Sequence, residues 1–196
     1  ELRRQYHVPD PPLLLIMVAH NFRLKGLGPL VEEASRLVVS GFDAFHLLVI
    51  GRDNPVGYQR RIDALGLDRF ITFTGPSQRT PAFMSAADVL VHPTYYDPCS
   101  RVVLEALSVG LPCITTAFNG AAEIMADGRE GFILESPDAV GMMARRIQEL
   151  SDPELRKRMS QRALALRDKV SMNRHVDELD TIFREIADAR RAVASG

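Results

Sequence analysis

The segment with the most chemical content runs from residue 92 to residue 105. It reads His-Pro-Thr-Tyr-Tyr-Asp-Pro-Cys-Ser-Arg-Val-Val-Leu-Glu. An apolar run at 89–91 stops at Pro93, a short polar loop follows, and a helical pattern begins near Ser100. The first turn of a helix presents unpaired N–H groups and the positive end of the helix dipole. This junction therefore predicts a binding place for phosphate.

Two carboxylates bracket the same junction. Asp97 lies in the polar loop, and Glu105 lies about one and a half turns into the predicted helix. Carboxylate oxygens accept hydrogen bonds from the hydroxyl groups of sugars. One short segment could thus serve a phosphate, a ribose and a hexose together.

A second candidate site follows the first apolar run of the chain. Arg23 and Lys25 lie in a loop that also holds Gly26 and Gly28. Two cations beside glycines that allow close backbone approach suit a diphosphate. A pair of exposed loop charges is the alternative, and the two residues by themselves favour it.

Apolar runs that alternate with helical patterns must position these residues. The runs are typical of strands buried on both faces, and they fall at 13–19, 44–50, 70–73, 89–91, 113–116 and 131–134. The alternation predicts an α/β fold of the Rossmann-like type, with a doubly wound parallel sheet of about six strands. In such sheets ligands bind beyond the carboxyl ends of the strands. The polar and glycine-containing loops fall there, at 20–28, 51–57, 75–80, 92–100 and 117–123.

The end of the chain is predicted to be helical throughout. Helical patterns cover 138–150, 153–169 and 173–191, and the last of them forms a C-terminal helical tail. The beginning reads differently: Glu1 is not a start methionine, and residues 1–12 are interpreted as the remnant of an interdomain linker.

Bulk properties exclude several classes of protein. The 196 residues are 46% hydrophobic and 25% charged, with a formal net charge of -1, which is ordinary for a globular domain and argues against a nucleic-acid partner. The two cysteines give no disulfide framework, and no metal-ligand spacing occurs, so we predict no metal site and a cytoplasmic protein. We also predict no transmembrane segment, because no apolar run of about twenty residues occurs.

The spacing of the two carboxylates carries a family resemblance. Asp97 and Glu105 are separated by seven residues, and the chain continues Glu-Ala-Leu-Ser-Val-Gly-Leu-Pro at 105–112. This segment resembles the E-x7-E region of the retaining glycosyltransferases of the GT-B fold, family 4. It departs twice, with Asp97 in place of glutamate and Ser100 at the glycine position. Other segments agree, since 22–26 is similar to the basic R-x-x-x-K-G segment of that family.

The resemblance implies a role for each candidate residue. Asp97 would contact the transferred sugar, and Arg23 and Lys25 would neutralise the leaving nucleoside diphosphate. Glu105 would hold the ribose, and the backbone N–H groups near the helix start would meet the β-phosphate. Three glycines would allow close approach of the nucleoside, the base and the donor sugar. The residues implied in donor binding are Gly51, Gly75, Ser100, Arg101, Val102, Glu105 and Gly120.

The resemblance also implies an organisation and an activity. Residues 13–170 would form the nucleotide-sugar-binding half of a GT-B enzyme, and 171–196 a helix that packs toward an N-terminal domain. The full-length protein would be a hexosyltransferase that needs no metal, favours a UDP-sugar donor and uses a glycan or lipid-linked acceptor. The resemblance is nearest to lipopolysaccharide-core glucosyltransferases. By that likeness, the cytoplasmic protein would have the option of peripheral attachment at the inner membrane face. The isolated fragment would be inactive.

Two alternatives stay open at this point. A nucleotide-sugar 2-epimerase shares the architecture, although it lacks the two acids spaced like Asp97 and Glu105. A non-catalytic nucleotide-sugar-binding module would explain the departures at Asp97 and Ser100. Neither a G-x-G-x-x-G after a strand nor a P-loop occurs, so a dinucleotide dehydrogenase and a P-loop enzyme are disfavoured. We interpret His46 and His92 as strand residues with satisfied hydrogen bonds.

Overall fold

The computed structural model of the chain describes residues 2–6, 8 and 13–194, with side chains to 191. Within these residues six strands form one parallel sheet in the order β3-β2-β1-β4-β5-β6. The strands are β1 Leu13–Val18, β2 Phe45–Ile50, β3 Ile71–Gly75, β4 Val89–His92, β5 Cys113–Thr116 and β6 Gly131–Leu134. The predicted α/β architecture is confirmed, and the strand ends differ from prediction by one or two residues.

Helices cover both faces of the sheet because the strand side chains alternate between them. In β1, Leu13, Leu15 and Met17 belong to one core cluster, whereas Leu14 and Ile16 belong to the other. The helices are α1 Leu2–Gln5, α2 Leu27–Val39, α3 Val56–Ala64, α4 Thr80–Ala86, α5 Arg101–Ser108, α6 Met142–Glu149, α7 Pro153–Leu164 and α8 Met172–Ala194, with a 3₁₀ helix at Gly120–Ile124. Helices α2, α3 and α6 pack on the first cluster, and α4 and α5 on the second.

Several predicted helix limits were wrong by a few residues. Helix α2 begins at Leu27 rather than at Pro29, because Gly26 adopts a left-handed conformation and serves as its N-cap. Helix α6 begins four residues later than predicted, directly after Gly141, which also has a positive φ of 74°. Helix α7 ends at Leu164 instead of 169, and a stretch of turns leads to the last helix.

The order of the strands places two loops together at the middle of the sheet. Strands β1 and β4 are neighbours although five elements of the chain separate them, and the helices that follow them lie on opposite faces. This is the point where the winding of the sheet reverses, and such a point opens a crevice at the carboxyl edge. The loop after β1 and the loop after β4 therefore meet at the expected place for a ligand.

The two ends of the chain were predicted to be a linker remnant and a helix that packs toward another domain. The predicted linker remnant at 1–12 lies largely outside the described residues, which here are 2–6 and 8. Helix α8 carries an exposed row of apolar side chains at a spacing of three or four residues: Met172, Val176, Leu179, Phe183 and Ile186. Packing of this helix toward another domain stays a prediction. In the described part of the chain, no helix is long and apolar enough to cross a membrane.

Gly26 gives a first test of how tightly the two central loops are joined. Its φ is 78°, and a Cβ atom there would lie 2.0 Å from the carbonyl oxygen of Pro93. We expect Gly26→Ala to lower the free energy of unfolding by about 3 kcal/mol, because it adds left-handed strain to a backbone clash. Gly28→Ala is the matched control, since no atom lies within 4 Å of its added Cβ. Urea denaturation of both variants checks this, and equal stabilities would contradict it.

Candidate functional site

A partly buried ion pair joins the two central loops. Lys25 Nζ lies 2.7 Å from Asp97 Oδ2 and donates a second hydrogen bond, of 3.2 Å, to the carbonyl oxygen of Tyr96. The two charged side chains are only 18% and 15% exposed. The cation predicted for a diphosphate and the carboxylate predicted for a sugar thus pair with each other.

His92, the last residue of β4, contacts the carboxylate of this pair. Its ring is buried, and Nε2 lies 3.6 Å from Asp97 Oδ2 and 3.3 Å from Ser100 Oγ. Contact with His92, together with the ammonium of Lys25, holds the pKa of Asp97 well below its usual range. Burial lowers the pKa of His92, because the charged imidazolium would lose its hydration. The cluster therefore presents an ionised carboxylate, an ammonium and a neutral imidazole at neutral pH.

The start of α5 is held by Asn119, which is 1% exposed. Its Oδ1 accepts hydrogen bonds from the backbone N–H groups of Ser100, at 3.2 Å, and Ala121, at 3.1 Å. Its Nδ2 donates to Thr115 Oγ1 at 2.9 Å. One side chain thereby fixes the loop after β4, the loop after β5 and the strand between them.

This arrangement decides which groups at the start of α5 are free. The Ser100 side chain does not cap α5, because its hydroxyl faces His92 and makes no capping hydrogen bond. The Ser100 N–H is also taken by Asn119, so it is not free for a β-phosphate. Within the described residues, the N–H groups of Arg101 and Val102 have no hydrogen-bond partner, and these two remain available to an anion.

Gly120 packs against the loop that carries Asp97. Its N–H donates to the carbonyl oxygen of Asp97 at 2.9 Å. The N–H of Asp97 in turn donates to the carbonyl oxygen of Phe118 at 3.1 Å. A Cβ atom on Gly120 would lie 1.9 Å from the carbonyl oxygen of Pro98. The close contact between two loops already requires glycine here, and its predicted approach to a donor sugar stays a prediction.

The other two predicted glycines lie farther out along the sheet. A Cβ on Gly51 would lie 1.8 Å from the carbonyl oxygen of Ala19, so the packing of β2 against the end of β1 demands this glycine. Gly75 has a φ of 73° and open space around its Cβ position. Open space leaves Gly75 accessible to a base, whereas the carbonyl oxygen of Ala19 occupies the Cβ position of Gly51.

Glu105 is exposed on α5 and does not join the buried cluster. Its nearest cation is Arg101, one turn earlier on the helix, at 3.6 Å. Both side chains are largely in solvent, at 49% and 82% exposure, so this ion pair contributes little to stability. The Glu105 carboxylate is therefore free to exchange Arg101 for a hydroxyl group of a ligand.

Arg23 and Lys25 have different surroundings. Its exposed side chain lines a separate pocket with Asn21, Tyr58 and Tyr95, and Lys25 and Asp97 do not line that pocket. That Arg23 and Lys25 act on one diphosphate stays a prediction.

Sequence reasoning missed Asn119 and undervalued His92. Asn119 carried a recognisable signal, since an asparagine directly before a helical turn often serves as its N-cap, as it does here for Ala121 N–H. His92 was predicted to be a strand residue with satisfied hydrogen bonds, but its Nδ1 has no hydrogen-bond partner within the described residues. Its contact with Asp97 depends on the turn at Pro93, which sequence does not define.

The buried histidine predicts a dependence of stability on pH. The pKa of His92 is lower in the folded protein than in the unfolded chain, so the unfolded chain binds more protons below about pH 6.5. We expect the free energy of unfolding to fall as the pH decreases from 6.5, by up to about 1.4 kcal/mol per pH unit for this group. His92→Gln should reduce that slope, and His175→Gln, on exposed α8, should not. Urea denaturation at pH 5.5, 6.5 and 7.5 checks this, and identical slopes would contradict it.

Comparison with known proteins decides the family. Residues 1–165 match the family described as glycosyl transferases group 1. The chain belongs to this family. It is 30% identical over 164 residues to the lipopolysaccharide glucosyltransferase WaaG of Escherichia coli. The aligned residues make up 84% of this chain and 42% of WaaG.

Solved structures agree with the family assignment. A crystal structure of WaaG, described as a glycosyltransferase involved in lipopolysaccharide biosynthesis, superposes with a TM-score of 0.75 at 29% identity, over 85% of this chain and 45% of that one. HepE from Anabaena, solved in complex with UDP-glucose, has the same fold, with a TM-score of 0.77 at 20% identity over 92% of this chain and 51% of HepE. The chain spans about half the length of the relatives it matches. The resemblance to the GT-B glycosyltransferases is thus confirmed.

The metal prediction stays open. Among the described residues, no three His, Cys, Asp or Glu side chains converge closely enough to hold a metal ion. The cluster at Asp97 contains one carboxylate, one imidazole and an ammonium, which is a poor set of ligands for a cation.

Proposed function

We propose that this chain is the donor-binding half of a retaining hexosyltransferase that uses a nucleotide-diphosphate sugar. The observation that carries the proposal is the meeting of Lys25, Asp97 and the start of α5 at the point where the sheet reverses its winding. The family assignment supports a transferase rather than an epimerase. The complex of HepE with UDP-glucose supports UDP as the nucleotide.

Lys25 and the start of α5 supply the electrostatic part of the reaction. When the bond between the sugar C1 and the phosphate oxygen breaks, the electron pair stays on the β-phosphate. The ammonium of Lys25 and the free N–H groups of Arg101 and Val102 would stabilise that charge, because they are fixed in place before the reaction. Because Lys25 and these N–H groups would already stabilise the negative charge of the leaving diphosphate, we propose that no metal is required.

The ion pair gives Asp97 a place in the binding step. A diphosphate near Lys25 would compete with Asp97 for the ammonium, and Asp97 would then be released toward a sugar hydroxyl group. Contact with His92 keeps the carboxylate ionised and directed to the same side throughout. Glu105, exposed one and a half turns into α5, would bind the ribose.

The rest of the enzyme is proposed from the same comparison. WaaG is a lipopolysaccharide glucosyltransferase, and by that likeness the acceptor would be a glycan or a lipid-linked glycan bound mainly by an N-terminal domain. The exposed apolar row of α8 would pack toward that domain. We propose a cytoplasmic location, with peripheral attachment at the inner face of the membrane.

Transfer by the full-length protein tests this function. We expect sugar transfer from one of UDP-glucose, ADP-glucose and GDP-glucose, and a 10- to 100-fold higher KM for that donor in Glu105→Gln, about the effect of one hydrogen bond to a charged group. Glu123→Gln is the matched control, because Glu123 is exposed on the neighbouring 3₁₀ helix. Transfer from none of the donors, or an unchanged KM in Glu105→Gln, would contradict the proposal. Anomeric analysis of the product by NMR tests retention separately.

A further inference from the structure

A pocket of about 490 Å³ opens beside the donor cluster, on the side of α2 and α3. It is lined by Asn21, Arg23, Leu24, Gly28, Pro29, Tyr58 and Tyr95. None of Lys25, Asp97, Ser100 and Glu105 belongs to this lining, so the pocket is built from different residues than the proposed donor site. Its volume falls in the range of sites for small molecules.

Arg23 is the one cation that lines this pocket, and its guanidinium has no ion pair or hydrogen bond within the described residues. The nearby acids are already engaged. Asp53 accepts backbone N–H groups from Phe22, at 2.7 Å, and Asn54, at 2.8 Å. Asp138 accepts the hydroxyl group of Tyr95 at 2.5 Å. A guanidinium without a protein partner at the mouth of a pocket suits the oxygens of a phosphate or carboxylate group.

The walls of the pocket are aromatic and fixed. The ring of Tyr58 meets Phe22 edge to face, with 5.9 Å between centroids. Tyr95 is held by its N–H, which donates to the carbonyl oxygen of Leu24 at 2.9 Å, and by its hydroxyl group on Asp138. Burial and that hydrogen bond raise the pKa of Tyr95 to about 12, so the hydroxyl stays protonated. Rigid amphipathic rings provide large contact area at a small cost in entropy.

Asn21 adds a polar donor at the same wall. Its Oδ1 accepts the N–H of Leu24 at 2.9 Å, which fixes the amide and leaves its NH₂ group free to donate. The pocket thus combines one unpaired guanidinium, one amide donor and two tyrosine rings. A sugar ring with an anionic substituent matches all three, because its faces are apolar and its edge carries hydroxyl groups.

We propose that this pocket binds an anionic saccharide, with the phosphate or carboxylate group on Arg23 and the ring between Tyr58 and Tyr95. The site is additional to the proposed donor site and does not rest on it. Both sites open at the carboxyl edge of the sheet, so a charged glycan bound here would lie beside the donor.

Titration of the protein, followed by NMR or calorimetry, tests the pocket. The probes are glucose 6-phosphate and glucuronate, with glucose and inorganic phosphate as the two partial ligands. We expect at least one anionic sugar to bind about 10-fold more tightly than either partial ligand, and Arg23→Gln to weaken it about 10-fold, as for one charge-assisted contact. Tyr58→Leu should weaken it as well, whereas Arg60→Gln, an exposed change on the same α3 helix, should not.

Three results would overturn the proposal. One is the absence of saturable binding by both anionic sugars, and another is equal binding by wild type and Arg23→Gln. The third is competition by UDP, which would make this pocket part of the donor site. Glu105→Gln separates the two sites, because it should weaken the donor nucleotide and leave the anionic sugar unaffected. Arg23 is exposed and unpaired, so its glutamine variant should fold normally, which circular dichroism confirms.

Discussion

Lys25→Met is expected to lower kcat/KM for sugar transfer by about two to three orders of magnitude, the usual cost of removing one fixed group that stabilises transition-state charge. The methionine keeps the length of the side chain and removes the ammonium, which lies 2.7 Å from Asp97. The leaving diphosphate would then be stabilised only by the N–H groups at the start of α5. Steady-state kinetics of the full-length protein with its donor measure this loss.

A matched control separates this effect from a general loss of charge. Lys157 is exposed on α7, and Lys157→Met should leave kcat/KM unchanged. A fall of less than threefold in Lys25→Met would show that Lys25 does not stabilise the leaving group. The loss of Lys25 also removes one of the causes of the low pKa of Asp97, so the pKa of that carboxyl should rise in the variant.

Asn119→Ala is expected to lower the free energy of unfolding by about 3 kcal/mol, because it leaves two buried N–H groups without a partner and removes a third hydrogen bond. The two donors are the N–H groups of Ser100 and Ala121, and the third bond is the one that the Thr115 hydroxyl group accepts. The loop that carries Asp97 would lose its anchor to the loop after β5, so donor binding should weaken as well. Urea denaturation measures the first effect, and nucleotide titration the second.

Asn173→Ala provides the control, because Asn173 is exposed at the beginning of α8. It should change the free energy of unfolding by less than about 0.5 kcal/mol, as surface substitutions usually do. A loss below about 1 kcal/mol in Asn119→Ala would contradict the anchoring role.

The fold was predictable because it depends on a pattern that repeats along the chain. Strands such as Leu13–Val18 and Phe45–Ile50 are buried along almost their whole length, and a continuous apolar run is the direct signature of that burial. The parallel order then follows from the alternation with helices. The meeting of candidate residues such as Lys25 and Asp97 at the carboxyl edge was predictable for the same reason.

The side-chain contacts at that edge were not predictable in the same way. Lys25 and Asp97 were both proposed to contact a ligand, yet their pairing with each other depends on the close approach of Gly26 to Pro93. Arg23 is only two residues from Lys25, yet it lines a pocket that Lys25 does not line. Asn119 also contacts Ser100 and Thr115 on other segments, and no spacing along the chain encodes these two contacts.

We infer that the cluster around Lys25 and Asp97 binds the diphosphate of a nucleotide-sugar donor. Calorimetric titration of the protein with UDP, ADP and GDP, in parallel with Lys25→Met, tests it most directly. We predict saturable binding of one of the three, with UDP favoured, and at least a 10-fold weaker affinity in the variant, as expected for the loss of a charge-assisted contact to phosphate. Binding that is unchanged in Lys25→Met, or no binding of any diphosphate at millimolar concentration, would contradict the claim.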